Sequence, residues 1–366
     1  MWKKTVIRTT FISFFLIIFV SCLKDDPLKV PFQSFSPAHL GDGWEIAEPA
    51  EMDIDGEALK EVYRYVHADK NAWPIRSLLV FRNNKLVAES YMKDPADRTN
   101  FHPLWSATKG FIGILTGIAV DKGLISIEDK ISDFFPNAPS NKKEITIENL
   151  LTMKSGINYD NGGYNGEDCI LFRKIPSNSV DFVLGLDMDA SIGTSFYYKN
   201  SDPHLLSAII QEKAGKTTRD WAKEVLFDKI GITNLEWRTY KDGVTFGGFG
   251  ILTTPREMGK IGQLVANGGM WNDEQIVSAN WIDEMTTARI LDTPAEFSNM
   301  AFGYLWWKDI EREAVFTMGH GGQYIIANKD KNLTIVITSE QHPAFEFSLL
   351  PNDVISIYDR INNIAK

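Results

Sequence analysis

Residues 101–123, FHPLWSATKGFIGILTGIAVDKG, decide how the rest of the chain is read. Phe111, Ile114, Leu115, Ile118 and Ala119 recur at helical spacing. The pattern opens at Ser106, with Lys109 three residues on. Residues three apart share a helix face, so the lysine can reach the hydroxyl across one turn. Gly110, Gly113 and Gly117 form a second stripe of small residues, which lets another backbone approach closely. A serine hydroxyl is a poor nucleophile until a base takes its proton. A lysine serves as that base when burial or a neighbouring cation lowers its pKa. The helix start adds backbone N–H groups and a positive dipole end, both of which favour negative charge on a substrate oxygen. The same residues also admit a plainer reading, with Ser106 as an N-cap and Lys109 reaching out to solvent. This segment alone does not separate the two.

The S-x-x-K pattern is weak by itself. It begins at Ser21, Ser90, Ser106 and Ser140, and only the Ser106 copy opens a strong helical pattern. Other chemistries have less support. The six histidines do not pair at metal-ligand spacing, and there is neither H-E-x-x-H nor C-x-x-C, so neither a metal nor a cofactor is expected. The G-x-S-x-G elbow, the P-loop and the G-x-G-x-x-G fingerprint are absent from the sequence.

The formal net charge of the 366 residues is −10, and without Lys3, Lys4 and Arg8 the remainder stands at −13. Such a surface repels phosphate backbones, so no nucleic-acid partner is expected. The N-terminus reads as an export signal over residues 1–21, with a basic start and the apolar run TTFISFFLIIFVS, too short for an ordinary membrane span. It ends at Ser21-Cys22, which resembles a lipoprotein cleavage site; Cys22 would then carry lipid and anchor the chain to a membrane of the cell envelope. The acidic LKDD that follows resembles an export signal of surface lipoproteins. The other cysteine, Cys169, reads as a small structural residue.

Residues 22–50 are Pro-, Ser- and Asp-rich and read as a tether and extended lead-in. A helix is expected in GEALKEVYRYVHAD. SLLVFRNNKLVAESYM reads as two strands joined at Asn83-Asn84. Residues of roughly 124–240 carry short helical patterns and a Gly-rich loop, NYDNGGYNGED, a candidate lid. AVFTMGHGGQYIIANKDKNLTIVITSE reads as strands with a turn in Asn328–Asn332, and DVISIYDRINNIA as a closing helix. The expected fold is α+β, with an antiparallel sheet built from N- and C-terminal segments, helices flanking it and a mostly helical subdomain inserted between.

The stretches LWSATKGFIGILTGIAVDKGLISIEDKISDFFP and ITIENLLTMKSGI resemble the serine β-lactamase and penicillin-binding-protein superfamily. Within it they are most similar to the class C β-lactamase-like esterases and amidases, including the aminohexanoate-oligomer hydrolases. GTSFYYKNSDPHLLSAIIQEKAGK, FGGFGILTTPREMGKIGQLVANGGMWN, FGYLWW and GHGGQYIIA extend the likeness from about Ile54 to the last helix, so 51–366 is taken as one β-lactamase/transpeptidase-like domain. The resemblance implies three ordered motifs: S-x-x-K at Ser106 and Lys109, Y-x-N at Tyr198 and Asn200, and H-x-G at His320 and Gly322. Tyr159-Asp160-Asn161 and His39-Leu40-Gly41 duplicate the last two patterns, but lie in the Gly-rich loop and the lead-in, and are set aside.

The resemblance further implies that Ser106 is acylated and that Lys109 and Tyr198 share the proton transfers. A tyrosine beside an ammonium has its phenolate form favoured. Asn200 would orient Lys109 and the substrate, the N–H groups of Ser106 and Gln323 would form the oxyanion hole, and Trp105, Trp306 and Trp307 are candidates to line the acyl pocket. The relatives that act on β-lactams mostly carry lysine where His320 stands, which weakens a carboxylate anchor here. An ester or peptide-like amide substrate is therefore expected ahead of a β-lactam. A cell-wall D-peptidase is the next reading, and a non-catalytic binding lipoprotein the one outside enzymes.

Overall fold

The computed structural model describes residues 30–68, 74–161, 178–293, 300–340 and 351–366. Cys22, where an anchor is expected, Cys169 and the loop beyond Asn161 lie outside them. Two strands, β1 (Glu45–Ile46) and β2 (Ile75–Arg82), precede β3 (Lys85–Tyr91). The turn between β2 and β3 puts Asn83 at φ 50° and Asn84 at φ 59°. Two left-handed residues in a two-residue loop match the twist of a hairpin, and asparagine tolerates that conformation better than most residues. The C-terminal segment supplies β9 (Met300–Phe302), β10 (Trp307–Asp309), β11 (Ala314–Gly319), β12 (Gln323–Asn328) and β13 (Leu333–Ser339). Between them lie three short strands of the middle segment, β4 (His102–Pro103), β5 (Leu235–Trp237) and β6 (Ile251–Thr253), and the small hairpin β7 (Met270–Trp271) and β8 (Glu274–Gln275).

The main sheet has the order β1-β3-β2-β13-β12-β11-β10-β9. The two ends of the chain meet at β2 and β13, antiparallel, with Val80 opposite Ile335. Only the β1–β3 pairing in this sheet is parallel. Helices α1 (Gly56–Ala68), α2 (Thr108–Asp121), α3 (Ile147–Leu151), α4 (Ser179–Leu184), α5 (Ser201–Ala214), α6 (Thr218–Ala222), α7 (Pro255–Ala266), α8 (Ala279–Thr286) and α9 (Pro351–Ile364) complete the described fold. Neighbouring residues of a strand face opposite ways. Ile325 meets α7 at Gly262, while Ile326 lines a cleft with Val354 and Tyr358 of α9. Helices therefore cover both faces, which accounts for the near-continuous apolar runs of β2, β12 and β13.

Residues 30–50 belong to this body. Buried Arg256 donates to both carboxylate oxygens of Glu89 at 2.8 Å and to Asp42 at 2.9 Å, and its guanidinium also reaches the carbonyl of Ala38 at 2.6 Å. Phe35 stacks on Tyr63 of α1. The lead-in is thus pinned to the sheet from Val30 onward, where the Val30 N–H donates to Met92.

His204 of α5 is fully buried, with Nε2 2.9 Å from Ser179 Oγ and its ring edge-on to Tyr240. Burial pushes its imidazole down to about 4, against a smaller opposing pull from Asp242. The unfolded chain therefore takes up this proton near pH 6.5, where the folded chain still refuses it. Stability is expected to fall as pH drops from about 6.5 towards 4, by ~3 kcal/mol at the lower end from this group. Thermal melts of the parent and His204→Gln across that window check it: the variant should lose most of the slope, and an unchanged slope would assign it elsewhere.

Candidate active site

Helix α2 is buried on every side from Thr108 to Ala119. A helix buried all round, apolar but for Thr108, Lys109 and Thr116, belongs at the centre of a domain. Its glycines are contact points: a Cβ on Gly117 would lie 2.1 Å from the Trp281 ring, and one on Gly113 2.9 Å from the Tyr304 carbonyl. The stripe thus admits an indole as well as a backbone.

Ser106 does not cap this helix. It lies in a 3-10 turn, Trp105–Ala107, and α2 starts at Thr108 without a side-chain cap. Trp105 takes φ 48°, an uncommon conformation for a bulky residue and one that stores strain. The turn is held from three sides. Upstream, the Leu104 N–H donates to Ile251 of β6 at 2.9 Å. Downstream it runs into α2. Beside it, Thr317 Oγ1 of β11 donates to the Ala107 carbonyl at 3.1 Å. The end of β11 comes so close that a Cβ on Gly319 would sit 1.9 Å from the Leu104 carbonyl, so only glycine fits that crossing.

Lys109 is 1% exposed, which removes the solvent-reaching alternative. Its Nζ lies 3.0 Å from Ser106 Oγ and 2.8 Å from the carbonyl oxygen of Gly248, and it donates to Asn200 Oδ1. It also lies 4.8 Å from the centre of the Tyr198 ring. The buried Tyr198 phenol lies beside Ser106 and Trp307, its ring centre 5.6 Å from that of Trp307. Ser106, Lys109, Tyr198 and Asn200 therefore form one connected cluster, although 91 positions separate Lys109 from Asn200.

The tyrosine's electrostatics differ from the sequence expectation. Burial pushes the Tyr198 phenol well above its ordinary value, outweighing the opposing pull of neighbouring Ser106 and Trp307. The resting group is a neutral phenol, because taking the phenolate out of water costs more than its neighbours return.

The third motif borders the cluster. His320, Gly321 and Gly322 form the turn between β11 and β12, with Gly321 at φ 80° and Gly322 at φ 92°. His320 is half-buried, its ring edge-on to Trp105 at 5.8 Å. Gln323 begins β12, and its side chain donates to the Ser339 carbonyl at 2.8 Å, which fixes the strand start beside the turn. The tryptophans part company. Trp105 is partly exposed at the mouth, and Trp307 is buried behind Tyr198. Trp306 is wholly buried, with its indole N–H on the Gly110 carbonyl at 3.1 Å, so it belongs to the core and not to the pocket.

Two participants escaped the sequence reading. Gly248 supplies a carbonyl to Lys109 from the FGGFG stretch, where a Cβ at 248 would collide with Asn200 at 2.7 Å. Paired glycines between aromatics were the available signal. Asn161, set aside as part of a duplicate Y-x-N, bridges the backbone of the true motif. Its Nδ2 donates to the Tyr198 carbonyl and its Oδ1 accepts from the Asn200 N–H, both at 2.8 Å.

A family model described as Beta-lactamase matches residues 69–355. The chain belongs to the Beta-lactamase family. Among its relatives, the 6-aminohexanoate-dimer hydrolase of Paenarthrobacter ureafaciens is 22% identical over 269 residues, covering 68% of each chain. A family VIII carboxylesterase superposes with a TM-score of 0.67 at 16% identity, over 84% of this chain and 97% of the other. A class C beta-lactamase does so at 0.64 and 15%, over 90% and 99%. The β-lactamase/transpeptidase-like architecture expected from the motifs is the architecture found, and the serine hydrolases of this family are its neighbours.

Proposed function

We propose that the protein hydrolyses an ester or peptide-like amide through an acyl-enzyme on Ser106. The observation that carries this is the Lys109 amine, buried and 3.0 Å from Ser106 Oγ, with the Tyr198 ring centre 4.8 Å from the same nitrogen. Gly248 O and Asn200 Oδ1 can take two N–H bonds from a neutral amine, which leaves its lone pair to the serine O–H. Lys109 then accepts the serine proton as Oγ attacks the carbonyl carbon. Tyr198, a phenol at rest, delivers a proton to the leaving oxygen or nitrogen. In the second half, water attacks the acyl carbon and the proton transfers run in reverse. The N–H groups of Ser106 and Gln323 are proposed to hold the oxyanion.

No cation occupies the His320 position unless the imidazole is protonated, which favours substrates without a carboxylate to anchor. Incubation with p-nitrophenyl butyrate, acid quenching and peptide mass spectrometry test the reading: the butyryl group should sit on the Ser106 peptide. Steady hydrolysis with acyl recovered elsewhere, or none anywhere, would exclude it.

We also propose that the chain is exported and tethered to a membrane of the cell envelope by lipid on Cys22, on the strength of the basic start, the short apolar run and Ser21-Cys22. Labelling with an alkynyl fatty acid in the native host should mark the parent and not Cys22→Ser; equal labelling of both would refute the anchor.

A further inference from the structure

We propose that Asn161 is a positioning residue whose carboxamide sets the register of Tyr198 and Asn200, and so the reach of both side chains to Ser106 and Lys109. The inference rests on the serine-hydrolase reading above. The Asn161 carboxamide makes one bond through each of its ends, both to the main chain of the motif: Nδ2 donates to the Tyr198 carbonyl and Oδ1 accepts from the Asn200 N–H, each at 2.8 Å. A neighbouring strand would present the same pair of groups to residues i and i+2. Tyr198–Asn200 lies outside the strands, and here a side chain supplies that pairing.

The rest of the 153–161 segment runs along the same stretch. The Tyr197 N–H donates to the Met153 carbonyl at 3.2 Å. The Lys199 side chain donates to the Ile157 carbonyl at 2.9 Å. Its Nζ also lies 3.9 Å from buried Asp202, which accepts from Ser155 Oγ at 2.8 Å. The middle residue of the motif is therefore held by Ile157, and its two neighbours by Asn161 of the same segment. Asn200 stands just ahead of α5 without using its side chain as a cap, and that side chain accepts from Lys109 instead. Its direction depends on where its backbone is held. Tyr198 has the same dependence, since its hydroxyl must meet Ser106 Oγ.

A misplacement of about 1 Å at a reacting group costs on the order of 10²-fold in rate. Asn161→Ala removes both bonds. Asn161→Asp keeps shape and the acceptor for Asn200, but turns an acceptor oxygen towards the Tyr198 carbonyl. With an ester such as p-nitrophenyl butyrate, both variants should lose on the order of 10²-fold in kcat with KM within about threefold, and label equally slowly with a fluorophosphonate. A space-filling role predicts otherwise, because the isosteric aspartate would then work normally. Parent-like kcat in Asn161→Asp, or a loss confined to KM or to the melting temperature, would overturn the inference while labelling of Ser106 in the parent left the hydrolase reading intact. A parent that is not labelled at Ser106 would bring down both.

Discussion

Ser106→Ala is expected to abolish turnover, with a loss of at least ~10⁴-fold in kcat, while the fold survives. The serine contributes the atom that bonds to substrate, and no neighbouring group replaces it. Lys109 is buried among acceptors, and the Tyr198 phenol is held neutral by burial. Neither is presented as a nucleophile. The structural cost is small, because the hydroxyl is half-buried and α2 does not depend on it as a cap. A stability change within ~1 kcal/mol is expected from its lost hydrogen bonds. The check is a pair of measurements on one preparation, ester hydrolysis and thermal melting. Retained hydrolysis would remove Ser106 from the chemistry. Loss of both activity and fold would leave the fluorophosphonate adduct on the parent to decide.

The contrast between what the sequence showed and what it hid is physical. The β2–β3 hairpin was legible because two short apolar runs and the Asn83-Asn84 turn between them are local signals. The cluster of Ser106, Lys109, Tyr198 and Asn200 was legible through motif order and context, not through any single spacing. Gly248 and Asn161 were not, because each acts through a carbonyl or carboxamide on residues 139 and 37 positions away. Trp306 and Trp307 are adjacent, yet one joins the core behind α2 and the other backs Tyr198, since successive side chains point to opposite faces. The phenolate expectation failed for a related reason. It weighed one neighbouring charge and lacked the desolvation that only the packed fold supplies.

Lys109→Met should cost about 10³-fold in kcat and slow fluorophosphonate labelling in parallel, because the thioether fills the space of the stem but takes no proton. Two opposing terms act on stability. Methionine removes a buried amine whose desolvation is unfavourable. It also leaves Asn200 Oδ1 and Gly248 O without the donor they share. These are of similar size, so the melting temperature should move by only a few degrees. Lys109→Ala differs in one useful respect, since it opens a channel of the stem's shape leading to Ser106. Propylamine in the buffer should restore part of the activity of Lys109→Ala and none of Lys109→Met. Rescue would place the missing function in the amine itself, because an added base cannot repair a helix that has merely lost packing. If Lys109→Met instead works within tenfold of the parent, the serine must draw its base from elsewhere, and Lys109 is not the group that takes its proton.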